Sequence, residues 1–172
     1  MALTQDIVAT YKNPRAVMRR QLAIGQREDR VLMYLFLACG LIFVAQWPRL
    51  SREAFLNEEI PLNALLGGAL LGWMFIAPLA LYSIAALSRL VAKALRGQGS
   101  WYSARLALFW SLLASAPLWL LDGLTAGFIG PGPARSLTGA VAFGAFAIFW
   151  LFSLLETERP TERPSKRPGV SA

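Results

Sequence analysis

Asp122, Cys39, the loop Gly97-Gln98-Gly99-Ser100 and a scatter of hydroxyl and amide side chains are the residues whose types could carry chemistry. The chain has no histidine and one cysteine. It therefore holds no Ser-His-Asp or Cys-His relay, no histidine-ligated haem and no mixed histidine and carboxylate metal site. Cys39 reads as a small thiol buried in a helix. Around it, Leu37-Ala38-Cys39-Gly40 has Phe36 where a lipoprotein cleavage site wants leucine. The glycine-rich loop lacks the following lysine and preceding strand that a phosphate loop needs, so it reads as a turn. Asp122 falls at a helix end, where water satisfies it. No residue receives a catalytic, cofactor-binding or metal-binding role, and the expectation is a non-enzymatic protein without a cofactor.

The elements that would position such groups belong in lipid. Of 172 residues, 56% are hydrophobic and 16% charged, against about 25% charged in an ordinary soluble domain. The mean hydropathy is +0.47. A charge at the bilayer centre costs roughly 2.5 to 3.5 kcal/mol, so charge-free stretches mark the crossings. Four qualify, at about 31–47, 62–88, 102–121 and 136–155. The first covers about 26 Å at the helical rise, enough for a thin crossing bounded by Pro48-Arg49. Ser136 is placed to cap the fourth. Between the third and fourth, the Gly- and Pro-rich run from Gly123 to Pro133 predicts an interfacial or short re-entrant loop rather than helix. The fold class is all-α, a polytopic membrane helix bundle of four transmembrane helices (31–155) with an N-terminal amphipathic interfacial helix.

The net charge of +7 and pI of 10.3 could signal nucleic acid, but the distribution of the cations decides otherwise. Lys12, Arg15, Arg19, Arg20, Arg27 and Arg30 precede the first span. Arg89, Lys93, Arg96 and Arg105 lie between the second and third, and Arg159, Arg163, Lys166 and Arg167 follow the fourth. Only Arg49, Arg52 and Arg135 fall on the other side. The positive-inside rule then puts both termini in the cytoplasm of a bacterial inner membrane, with anionic inner-leaflet lipid as partner and no nucleic acid. Trp47 and Trp119 at one set of span ends, with Trp101 and Trp150 at the other, fit an aromatic belt.

Residues 1–30 form a cytoplasmic basic amphipathic segment, two short helices broken at Asn13-Pro14. Leu3, Ile7, Val8 and Tyr11 share one face of the first helix, and Val17, Met18 and Leu22 one face of the second. Such helices lie in the headgroup layer, or else pack on their own protein. The candidate lipid or partner contacts are Arg15, Arg19, Arg20, Lys93, Arg96 and Arg105. Gly68 with Gly72, and Ala140 with Gly144, are four residues apart and read as helix-packing positions. That spacing serves a homo-oligomer as well as internal packing. Pro78 and Pro117 free the carbonyls of Met74 and Leu113 and predict kinks. From Glu156 onward, 156–172 reads as a disordered cytoplasmic tail carrying a repeated Thr-Glu-Arg-Pro.

Pro14-Arg15 with Arg19, then Pro78-Leu79-Ala80-Leu81-Tyr82, then Gly97-Gln98-Gly99-Ser100-Trp101-Tyr102 and Ala116-Pro117, resemble the bacterial branch of the Yip membrane proteins. The resemblance spans roughly residues 10 to 155 and implies a multi-pass helical fold, with four spans here where the family usually has five. Its eukaryotic members interact with Ypt/Rab GTPases; no residue here carries that role. The expected function is membrane organisation or partner recruitment. The competing reading is a small permease or channel component acting as an oligomer, its pathway lined by Asn63, Ser83, Ser111, Ser115 and Thr138.

Overall fold

The structure, a computed structural model, describes residues 3–57 and 59–158, and these contain helices and no strand. The tail from residue 159, with most of the Thr-Glu-Arg-Pro repeat, lies outside them. Two short helices, α1 (Leu3–Lys12) and α2 (Pro14–Ala23), precede a long α3 (Glu28–Leu56). Next come α4 (Leu62–Leu71) and α5 (Ala77–Ala94), joined without a break through a π-helical turn at Gly72–Ile76. Two long helices, α6 (Trp101–Phe128) and α7 (Pro133–Thr157), complete the described residues. Four helical stretches are long and apolar enough to cross a membrane: Glu28–Leu56, Leu62–Ala94, Trp101–Phe128 and Pro133–Thr157.

Helix α6 is the hub. Leu106, Leu108, Phe109, Trp110 and Leu113 are fully buried. Edge-on aromatic pairs tie α6 to its neighbours, Tyr34 on Trp110 at 5.1 Å and Tyr82 on Phe109 at 5.1 Å. Such pairs add about 0.5 to 1.5 kcal/mol each beyond area burial. In contrast, none of the apolar window of Leu62–Ala94 is buried within the chain, so the second span borders the bundle with most of its surface turned outward.

Helices α3 and α6 run parallel, as their contacts show in register: Glu28 with Arg105, Tyr34 with Trp110, Ala45 with Gly123, Pro48 with Gly127. Here the structure departs from the sequence reading. The glycine-rich run after Asp122 was expected to be a loop, yet α6 continues helically through it to Phe128. A Cβ on Gly123 would overlap the Ala45 carbonyl, and one on Gly127 would overlap Pro48. The glycines thus serve backbone contact between helices, and packing overrides their poor helix propensity. Pro48 likewise fails to end α3, which continues to Leu56 with the proline set against Gly127.

Three smaller departures have local causes. Helix α7 begins at Pro133, with Gly132 at its N-cap. Ser136 does not cap it; its hydroxyl instead donates to the Gly132 carbonyl at 3.3 Å. Helix α7 also runs to Thr157, past the expected start of the tail at Glu156. At Pro78 the backbone widens into the π-helical turn, with the Ala77 N–H reaching Gly72; a π-turn is one way to seat a proline that has no N–H to donate. Helix α6 passes through Pro117 as one element.

Gly68, Gly72 and Gly144 have nothing within 4 Å of an added Cβ, and Ala140 is exposed. An added Cβ at Gly68, Gly72 or Gly144 thus meets open space within the chain, whereas at Gly123 and Gly127 it meets the backbone of α3. Gly123→Leu should lower stability by about 3 kcal/mol or more by forcing α3 off α6. Gly68→Ala should be neutral or raise it by up to about 1 kcal/mol, since alanine is the better helix former. Thermal unfolding midpoints in a mild detergent read both.

Candidate functional site

The end of the bundle that carries the N-terminal helices and the end of α7 is called the proximal end, and its opposite the distal end. Asn13 caps α2, its side chain accepting from Ala16 N–H at 3.1 Å, and Pro14 occupies the first helical position. This breaks the N-terminal segment into a hairpin of helices, clamped by the ion pair of Arg20 and Asp6 at 3.2 Å.

The hairpin packs on the bundle. Val17 and Met18 are fully buried in the core, and Leu3, Ile7 and Leu22 pack against it, while Val8 of the same predicted face points outward. Polar groups carry it far along α6. The Trp110 indole N–H donates to Thr10 Oγ1 at 3.2 Å, and that hydroxyl donates to the Asp6 carbonyl at 2.8 Å. The Tyr11 hydroxyl donates to the Ala114 carbonyl at 3.0 Å, half-way along α6. Burial raises the Tyr11 phenol above its ordinary value, so it remains a donor at neutral pH. Of the two placements open to these helices, the structure thus has them on their own protein.

Below the hairpin, Arg30 donates to the Tyr34 hydroxyl at 3.0 Å, which donates to Gln21 Oε1 at 3.1 Å. Tyr102 donates to the Gly25 carbonyl at 3.2 Å. The bonds to Gln21 and Gly25 cross between segments, so the proximal end is stitched by polar contacts.

Four of the six candidate contact cations are drawn into this stitching. Arg15 lies 4.8 Å from the Phe152 ring centre, Arg19 pairs with Glu156 at 3.3 Å, Arg20 pairs with Asp6, and Arg105 pairs with Glu28. Lys93 and Arg96 differ: both are exposed, and among the described residues their side chains make no hydrogen bond or ion pair. Arg96 also stands in the left-handed region at φ 64°. There it closes α5: the Gly97 N–H returns to Ala92 at 2.8 Å and the Arg96 N–H to Lys93 at 3.0 Å. This end motif normally seats glycine, because a Cβ is unfavourable there. The two exposed cations thus border the loop that leads into α6.

That loop holds what the sequence reading missed. Gly97 and Gly99 flank the carboxylate of Glu158, which accepts from Gly99 N–H at 2.8 Å and from Arg89 at 3.3 Å. Ser100 then caps α6 in a reciprocal pair with Ser103. Nothing local to Glu158 in sequence signals that its partners lie 59 and 69 residues away.

At the distal end, Arg52 donates to the last carbonyls of α6, Gly127 at 3.2 Å and Phe128 at 3.4 Å, complementing the helix C-terminus. Asp122 accepts from Thr138 at 2.8 Å beside an open cleft of about 370 Å³ that Arg135 and Ser136 also line. The five residues of the permease reading have different surroundings: Asn63 and Ser83 are exposed, Ser111 and Ser115 are fully buried, and Thr138 is held by Asp122. Comparison with protein families, curated proteins and solved structures finds no match for the chain.

Arg96→Gly should raise stability by about 1 kcal/mol by removing the Cβ from a left-handed seat. Arg96→Ala should not, because alanine keeps the Cβ. Chemical or thermal unfolding of the two variants side by side checks the sign.

Proposed function

We propose that this chain is a non-enzymatic integral protein of the bacterial inner membrane, both termini cytoplasmic, that organises membrane or recruits a partner through its proximal end. On short Pro- and Gly-containing motifs it resembles the bacterial branch of the Yip family. The observation that carries the reading is the pair Lys93 and Arg96, left exposed while Arg19, Arg20, Arg89 and Arg105 each meet an acid. Arg96 keeps this position despite a backbone that favours glycine. Strain held at an exposed charge is what a contact residue looks like when stability alone does not choose the residue.

Anionic lipid headgroups would meet these cations at about 1 kcal/mol per charge. A protein partner with an acidic face would meet them with the same complementarity. The outward surface of the second span supplies the lateral contact that a homo-oligomer or membrane partner would use.

The test is photocrosslinking in native membranes from position 93, with a probe at position 135 as control. The reading expects a reproducible, specific protein or lipid adduct at 93, reduced by Arg96→Gln and absent at 135. No adduct above background at 93, or an equal one at 135, would contradict it.

A further inference from the structure

Glu158 holds a position that its own helix does not explain. It stands one residue past α7, at the C-cap, and its side chain turns into the loop before α6. One oxygen takes the Gly99 N–H at 2.8 Å, and Arg89 Nη1 lies 3.3 and 3.5 Å from the two oxygens. Arg89 and Glu158 are only 12% and 14% exposed, so the pair is well enclosed. A Cβ on Gly97 or on Gly99 would overlap the carboxylate. The loop is therefore a concavity shaped by missing side chains, with a backbone N–H and a guanidinium converging on one anion.

This donor set also suits phosphate. Backbone N–H groups ahead of a helix N-terminus, joined by an arginine, bind phosphate oxygens through charge-assisted hydrogen bonds. Helix α6 adds its dipole, since it starts at Trp101. The charge count points the same way. Arg89 reaches the loop and the exposed Lys93 and Arg96 immediately precede it, while Glu158 contributes a single negative charge. The other acids of this end, Asp6, Glu28, Asp29 and Glu156, lie on Arg20, Arg105, Arg27 and Arg19. With Glu158 seated, Lys93 and Arg96 are left without a counter-charge among the described residues.

We infer that the Gly97–Ser100 loop with Arg89 is an anion site that takes a phosphate group, from a lipid headgroup or from free phosphate, and that Glu158 is its in-chain competitor. Glu158 is well placed to yield. Its backbone is held by terminal helical bonds to Leu154 and Glu156, and helix ends fray. Phosphate binding would release the root of the C-terminal tail, and seating of Glu158 would expel phosphate, two faces of one coupling. The identity of the leaflet rests on the cytoplasmic orientation proposed above; the anion chemistry does not.

The experiment uses the full chain in mild detergent, with retained lipid quantified by native mass spectrometry. Phosphatidic acid, phosphatidylglycerol and zwitterionic phosphatidylcholine are offered in turn, with inorganic phosphate as soluble competitor. Glu158→Gln should bind the preferred anion about tenfold more tightly than the parent chain. Adding Arg89→Gln should remove that gain. Adding Gly99→Ala instead should also remove it, because a methyl group fills the seat while every cation stays. If that variant loses its parent's unfolding midpoint, the Arg89→Gln arm decides. Competition by inorganic phosphate would assign the site to free phosphate, and preference for the acidic lipids without competition would assign it to a headgroup. Unchanged binding in Glu158→Gln, or a gain that survives Gly99→Ala in a folded protein, would overturn the inference. Either failure leaves the crosslinking result at position 93 to stand by itself.

Discussion

The backbone contact between α3 and α6 is the constraint from which the rest of the architecture follows. Gly123 and Gly127 let the distal half of α6 meet Ala45 and Pro48 of α3 with no side chain between them. In lipid there is no hydrophobic gain from bringing two apolar helices together, so close van der Waals contact is the main attraction available. The two helices run in the same direction, and a chain can place them so only by returning between them. Leu62–Ala94 is that return, and its loose fit against the bundle follows from its role as a connector. Helix α7 then runs back along α6, with Thr138 at Asp122 and Glu158 at Gly99 marking the two ends of the contact.

The ends of the bundle are organised by charge. Buried side chains in the middle of α6 are apolar, aromatic or small, while the ion pairs fall at helix ends or on the N-terminal hairpin. A pair that joins two elements at an exposed end contributes little stability alone, about 0 to 1 kcal/mol. Its use is to fix how the helix ends meet, which is why the four such pairs at the proximal end matter as a set rather than singly. The N-terminal hairpin extends this arrangement inward: Thr10 and Tyr11 satisfy Trp110 and Ala114 half-way along α6. A polar bond at that depth is favoured because its alternative is an unsatisfied group in an apolar setting.

Hydropathy made the four long apolar helices legible, and Asn13-Pro14 marked the break between the first two helices, because both signals are local. The extent of the helices was less so. Pro48 and the run from Gly123 look like ends to any rule that scores residues one at a time. They stay helical because each fits the other helix, a fact about two segments far apart in sequence. Small-residue spacing pointed to Gly68 and Gly72 but passed over Gly123 and Gly127, since spacing alone does not say which face meets a neighbour. The basic residues were legible as a group, yet which of them remain free depends on where Asp6, Glu28, Glu156 and Glu158 arrive in space.

The parallel pairing of α3 and α6, with one full crossing between them, makes a single demand on topology. A protein with Cys39→Ser and one new cysteine, Lys93→Cys or Arg135→Cys, can be exposed in intact cells to a membrane-impermeant maleimide. The account predicts labelling at 135 from outside, and labelling at 93 only after the membrane is opened. Equal accessibility of both positions in intact cells, or labelling at 93 alone, would contradict it.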